Sequence, residues 1–525
     1  MTFKKSLYLS VCFSILPLCS CNDGTAAHEN SSSDDEPQLI DNTKKEAEAE
    51  AINASISALS FKKSSNKGKI SEDIRCKVHN EHFECFPKET LKSNSLAANF
   101  EFDGDSILFN GDLVESDKTV LSYNDDMTFS VYSGTSKKDY KVHLYPYTGL
   151  PYIAVETANG KDITDKVNLR EASLRIMEYP DRQELGGSIE CSIIGRGNST
   201  WTMPKKPYQI KFNTKTSPLS LPKGKTWVMA ANYFDKTMVR NSTAMYLSSI
   251  SSAPYTPKYR NFELILNGKH KGTYQLFEKL AVSKKRINIG EKDFLLEVDN
   301  HSRLKDTYFT LDSLPNPVKI HSPSVSTDDD DYNYIKEKME DIEKVLFSDD
   351  FLDEEKGYKN YIDIDALVEW FIVTEITENS SNRVNWFMTF KREGKLKFGP
   401  FWDYDLAFGN SLWTPYANEL DRIWMLKLPW FKRFMKDPEF KKKVAERFDY
   451  FYSRKDDILK KVDDYANEIR GSVIANNNLW NILECDSCTS EQVYRLYDEE
   501  LSYMKSWLSV RMENLKQKFD PWAEN

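Results

Sequence analysis

Two carboxylates inside an aromatic run constrain this chain more than any other feature. In Gly399-Pro400-Phe401-Trp402-Asp403-Tyr404-Asp405-Leu406-Ala407-Phe408-Gly409-Asn410, Asp403 and Asp405 are flanked by residues that belong in an interior. Burying ionised carboxylates is costly unless a cation or hydrogen-bond donors compensate, so the fold must bring one or the other to this run. If 395–398 is a strand and Gly399-Pro400 bends it, an extended continuation directs Asp403 and Asp405 to one face and Tyr404 to the other. Two oxygen ligands on one face suit a hard divalent ion such as Mg2+ or Mn2+, which shares its shell with phosphate oxygens and water. The competing use of such aspartates is local, as caps of a turn or a helix start.

The rest of the chain has room for that interior. Its 525 residues allow two to four domains at about 100–200 residues each, and 40% hydrophobic with 13% aromatic content argues against global disorder. A net charge of -10 offers no electrostatic reason to expect nucleic acid as a partner. At the N-terminus, Lys4 and Lys5 precede an apolar run over 7–18, too short for a bilayer span but suited to a signal peptide. The run ends in Leu18-Cys19-Ser20-Cys21, similar to the lipobox of bacterial lipoproteins. This predicts a lipoprotein signal peptide over 1–21, a lipid on Cys21 and residence in the cell envelope, with the outer membrane the expected anchor. An ordinary signal peptide cleaved nearby is the alternative.

Residues 22–65 are rich in Ser, Asn, Ala, Lys and acids and are expected to be a flexible tether. Over 66–147 short alternating runs separated by Gly, Asp, Asn and Ser predict a small all-β, Ig-like sandwich. Cys76 and Cys85 could staple a hairpin there. Cys485-Asp486-Ser487-Cys488 is expected to close a loop, and Cys191, in an apolar run, to be a buried free thiol.

From 148 to 522 the texture is mixed. A strand at 189–194 leads into Gly195-Arg196-Gly197-Asn198-Ser199-Thr200-Trp201, and 205–212 reads as the returning strand. A glycine-containing loop of this kind can wrap phosphates with backbone N–H groups, so Arg196, Gly197, Asn198 and Ser199 are candidate nucleotide contacts. Lys211 alternates with Ile210 and Phe212 and could reach a cleft, although a solvated lysine is the commoner use of such a position. A strand is expected at 227–231 and a helix over 235–250. Asn267-Gly268 between two apolar runs signals a type I′ hairpin whose second strand ends at Glu278. Beyond the acidic run 328–331 helices dominate: one over 366–375 capped by Asp365, then 440–454, 458–470 and 499–519.

Taken together, Arg196 to Trp201 with Lys205-Lys206-Pro207-Tyr208, the Asn-Gly hairpin ending in Glu278, Leu295-Leu296-Glu297-Val298-Asp299, and Gly399 to Asp405 resemble the CotH (spore coat protein H) kinase family over roughly 150–520. The resemblance implies an α+β, atypical protein-kinase-like two-lobed domain that places ATP between a β-rich lobe and a helical lobe and phosphorylates Ser or Thr. It implies that Asp403 is the metal ligand bridging the phosphates, with Asn385 a second ligand and Asp405 beside it. Lys211 would hold the phosphates and Glu278 would orient Lys211. One element departs from that pattern: an aspartate expected shortly before Asn385 is absent from Glu378-Asn379-Ser380-Ser381-Asn382-Arg383, where Ser380 or Ser381 takes its place. A serine cannot accept the acceptor hydroxyl's proton as a carboxylate does, and Glu378 is the one nearby substitute. The alternative is therefore a non-catalytic pseudokinase or cell-surface module binding an exported protein or glycan. A third reading, Asp403-Tyr404-Asp405 as the D-x-D site of a nucleotide-sugar transferase, accounts for neither the Lys211 loop nor the hairpin order.

Overall fold

The computed structural model describes residues 54–525 apart from 124–126, 179–182, 185–186, 301–306, 380–384, 412–418, 486–494 and 525. The signal-peptide and lipid-anchor expectations, and Cys488, lie outside these residues.

The fold is mixed α+β, with several sheets and eight α-helices among the described residues. An all-β unit comes first. Its strand Ser55–Phe61 alternates Ile56, Leu59 and Phe61 into an apolar cluster shared with Phe83, Phe100 and Phe129. The sheet thus begins inside the stretch expected to be tether, because those three side chains are apolar enough to pay for ordering it. Eight strands form one continuous sheet instead of two stacked ones. Phe129 touches Phe100 from one edge strand and Phe109 from near the other, so the sheet wraps round its own core. Cys76 and Cys85 face each other across a strand pair and are disulfide-bonded, and Cys485 is also in a disulfide.

Next comes a barrel. Strands Tyr152–Thr157, Tyr259–Leu266, Lys269–Glu278, Gly224–Ala230, Tyr208–Thr216, Ile189–Gly195 and Arg170–Glu178 pair in that spatial order, and the last returns to the first. Alternation fills the interior with Ile153, Val155, Leu174, Ile193, Ile210, Phe212, Trp227, Met229 and Leu264. Cys191 lies among them, and burial pushes its thiol up to about 12. Asn267 and Gly268, both at positive φ, make the tight turn the sequence signals. The wrapped sheet is braced against this barrel by the Arg175 guanidinium, which donates to both Glu84 oxygens at 2.9 and 2.8 Å.

Beyond the barrel lies a five-stranded sheet in the order Tyr308–Phe309, Val318–Ser322, Phe294–Val298, Trp386–Phe390, Leu396–Phe398. Phe294, Leu296, Val298, Val318, Ile320, Trp386 and Met388 turn one face towards the helices, where they join the largest apolar cluster. The opposite face is left for Glu297, Lys319, His321 and Phe387. The helix Ile364–Thr377 is buried nearly all round, and its N-cap is Asp363, whose Oδ1 accepts the Ala366 N–H at 3.0 Å, not Asp365. Helix Pro438–Tyr452 lies two residues ahead of the expected 440–454, while Lys455–Trp480 and Tyr497–Ala523 extend beyond the expected 458–470 and 499–519 at both ends. None of the described helices is long and apolar enough to cross a membrane.

Candidate functional site

The polar face of the five-stranded sheet forms one wall of a cleft of about 420 Å3. The other walls are the Arg196–Thr200 loop at the barrel end, residues 230–241, Lys279-Leu280 and the Trp402–Leu406 segment.

The loop owes its shape to close packing. A Cβ on Gly195 would sit 2.3 Å from the Trp201 ring and 2.6 Å from the Asp165 carbonyl, so only glycine lets Trp201 fold back there. Gly197 turns at φ +86°. Lys206 holds the far end, donating to the Trp201 carbonyl at 2.7 Å, and Lys166 donates to Gly197 O at 2.8 Å. Arg196 is thereby aimed across the cleft, its guanidinium 5.9 Å from the centre of the Trp402 ring. Burial lowers its pKa, while Asp403 and Glu297 draw it back up, which places both carboxylates in its field.

Asp403 follows the cis Gly399–Pro400 peptide and adopts φ +66°, the left-handed region. The extended continuation expected from sequence is therefore not what presents the two aspartates. A side chain at this position pays for the conformation, and two asparagines hold it there. Asn379 Nδ2 donates to the Asp403 carbonyl at 2.8 Å, and Asn241 Oδ1 accepts the Tyr404 N–H at 2.8 Å. Tyr404 is buried while Asp403 and Asp405 both line the cleft. Asp405 is partly buried, and burial first, then the nearby Asp403 and Asp235, raise its carboxyl well above the usual range. The remainder of the loop is anchored from below. Asn410 Nδ2 donates to Phe234 O at 2.8 Å, and Arg240, paired with Asp235 at 2.6 Å, donates to Ala407 O at 3.0 Å.

Asp403, Asp405, Asn385, Arg196, Gly197, Asn198 and Ser199 are thus brought to one cleft. Two expected members lie elsewhere. Lys211 is exposed on the barrel's outer surface and does not line the cleft, because the alternation that buries Ile210 and Phe212 inside a closed barrel sends it outward. Glu278 is buried but paired with Arg286 at 3.4 Å, hydrogen-bonded by the Tyr255 hydroxyl and by the Lys258 N–H at 3.0 Å. Glu378, the possible substitute for the missing aspartate, caps its helix at φ +43° and is held by Arg422 at 3.0 Å and Arg511 at 3.7 Å. Ser380 and Ser381 lie outside the described residues.

The cleft also contains residues to which the sequence reading assigned no role: Lys279, Lys319 and His321, with Glu297 and Asp299. The pattern Val318-Lys319-Ile320-His321 carries the same alternation that drew attention to Lys211, so a signal for them was present. Among the described residues no group of three or more His, Cys, Asp or Glu side chains converges as a metal site. Two carboxylates and an amide leave most of a divalent ion's shell to other oxygens. That donor set fits an ion shared with phosphates and water, and the cationic Arg196, Lys279 and Lys319 fit the phosphates themselves.

Comparison with known proteins supplies a lineage. The family model described as CotH kinase protein matches residues 193–515. No curated protein gives a significant match. Among solved structures, a candidate glycoside hydrolase from Bacteroides thetaiotaomicron is similar at 15% identity, covering 54% of this chain and 81% of that one with a TM-score of 0.18, too low for any argument from its fold.

Proposed function

Because this chain belongs to the CotH kinase protein family, we propose that its cleft binds a divalent metal with ATP and transfers phosphate to Ser or Thr hydroxyls of an exported protein, the barrel and the helical part acting as the two lobes of an atypical kinase. One observation carries the proposal: two aspartates and an asparagine meet three cations across a single cleft, in a volume within the 300–1,000 Å3 range of ordinary ligand sites. ATP with Mg2+ or Mn2+ would supply the phosphoryl group and neutralise its developing charge. Asp403 and Asn385 would hold the ion, with Asp405 beside them. Arg196 and the Gly197-Asn198-Ser199 backbone would cover the phosphates, and Lys279 and Lys319 replace Lys211 as cations facing them. Catalysis of this kind is mostly positioning and charge compensation, which the pinned Asp403 loop is built to provide. On this reading the protein resides in the cell envelope through a lipid on Cys21, which the lipobox-like Leu18-Cys19-Ser20-Cys21 supports.

The test is thermal stabilisation by ATP with Mg2+ or Mn2+. The parent protein should be stabilised and Asp403→Ala should not, while both melt cooperatively without ligand. Equal behaviour of the two proteins sinks the metal-nucleotide reading. A second reading, a pseudokinase or surface module, draws on the arginine-bound state of Glu378. It expects ATP-dependent stabilisation without transfer, or binding of an exported protein or glycan without ATP.

A further inference from the structure

Glu297 and His321 stand on adjacent strands, and alternation turns both to the cleft face while their neighbours Leu296, Val298 and Ile320 enter the helical core. His321 Nε2 and a Glu297 carboxylate oxygen are hydrogen-bonded. Glu297 is only 8% exposed, whereas the His321 side chain keeps 30% of its surface open. The ring packs against Phe387 at 5.4 Å, which fixes its plane. Among the described residues nothing hydrogen-bonds Nδ1. A carboxylate that accepts from Nε2–H selects the tautomer in which Nδ1 is the acceptor, the oriented state of a general base. Arg196 ties this pair to the metal side of the cleft, since Glu297 and Asp403 act together on its guanidinium. The other charged groups lining the same cleft are Lys319 on the His321 strand, Asp299 beyond Glu297, Lys279 and Asp405. Glu378 is engaged by arginines and the stretch before Asn385 has no aspartate, so the proton acceptor of a transfer reaction must come from another element.

We propose that His321 is that acceptor, a catalytic base held in place by the positioning residue Glu297. This rests on the metal–ATP reading above. In the step, the acceptor hydroxyl oxygen bonds to the γ-phosphorus, the bond from that phosphorus to the β–γ bridging oxygen breaks and leaves ADP, and the hydroxyl proton passes to His321 Nδ1.

The experiment measures phosphate transfer from ATP to dephosphorylated casein, and to the protein itself, across pH 5–9, beside ATP-dependent thermal stabilisation. His321→Ala should lower kcat by about 10²–10⁴-fold and keep the ATP stabilisation, and added imidazole should restore part of the rate. Glu297→Gln should lower kcat less than His321→Ala with the KM for ATP unchanged, and Glu297→Asp, which keeps a carboxylate beside the ring, should recover part of the loss. A purely structural role for Glu297 would instead lower the melting temperature and the ATP stabilisation together, with no recovery of kcat by Glu297→Asp. Retention of parental kcat by His321→Ala overturns the proposal, as does a parent that is stabilised by ATP yet transfers nothing. A parent that shows no ATP stabilisation overturns the metal–ATP reading and the base with it, and is distinguished by that binding readout.

Discussion

At the scale of single residues the site is held in a conformation that its sequence alone would not choose. Asp403 sits at φ +66° and Asp405 is crowded by Asp403 and Asp235. Functional loops often keep strain that the surrounding fold enforces. Asp405 has a folded-state pKa above its ordinary value of 3.8, so the folded protein retains a proton that the unfolded chain releases. The corresponding stability is present below that ordinary value and is lost as pH rises through the folded-state pKa. Asp405→Asn should therefore raise the Tm of metal-free protein at neutral pH, by about 2–4 °C, with little gain at pH 4. A calorimetric melt in EDTA at both pH values checks this. An equal change at pH 4 and pH 7 would mean the crowding is not electrostatic.

At the scale of elements, the Asp403 loop is supported by a short segment whose charges never reach solvent. Asp235 is fully buried, accepts from Thr237 and from the Arg240 N–H at 2.9 Å, and pairs with the Arg240 side chain at 2.6 Å. The helix expected from residue 235 begins only at Arg240–Ser249, with Val239 as its N-cap, while Asp235 is engaged by the Thr237 and Arg240 N–H groups in the turn before it. Arg240→Met leaves the buried carboxylate without its cation and should cost about 3–5 kcal/mol, seen as a lower urea midpoint. Asp235→Leu with Arg240→Met should recover part of that loss, since no charge is then stranded. Additive losses in the double variant would show that the two side chains act independently.

At the scale of the molecule, the barrel and the helices are joined through a buried lysine. Lys205 is inaccessible to solvent, donates to the Thr273 carbonyl and, at 2.7 Å, to Asn476 Oδ1, and lies 4.6 Å from the Tyr274 ring centre. Burial depresses its pKa from 10.5 to about 7. Between those values the unfolded chain binds a proton that the folded protein lacks, so stability present above pH 10.5 is lost as pH falls to about 7. Lys205→Met lacks this linkage. Its stability relative to the parent should rise as pH is lowered from 10 to 7 and level off below, as followed by urea denaturation. A flat difference across that range would place the lysine's charge in water.

Several features were legible in order along the chain. The Asn267-Gly268 turn, the Cys76–Cys85 staple, the buried Cys191 and the helical second half follow from local rules of turn conformation, strand spacing and periodicity, and the structure has them. The motifs around Arg196 and Asp403, distant in sequence, come together along one cleft. Alternation set Lys211 opposite Ile210, and the same period, not used in the sequence reading, sets His321 opposite Ile320. It could not say what lies on that side, since a two-residue period defines two faces and names neither. Closure of the barrel decided that the side away from Ile210 is solvent, and docking of the five-stranded sheet on the helices decided that the side away from Ile320 is the cleft. Pairings between residues far apart in sequence, such as Glu378 with Arg422 and Arg511, depend on which elements become neighbours. The chain by itself determined which residue types stand at which spacings and hence the local turns, the strand and helix periods and the candidate carboxylates and cations. Only the tertiary structure decided which of them face one another, because burial and charge pairing are properties of the packed interior and not of local spacing.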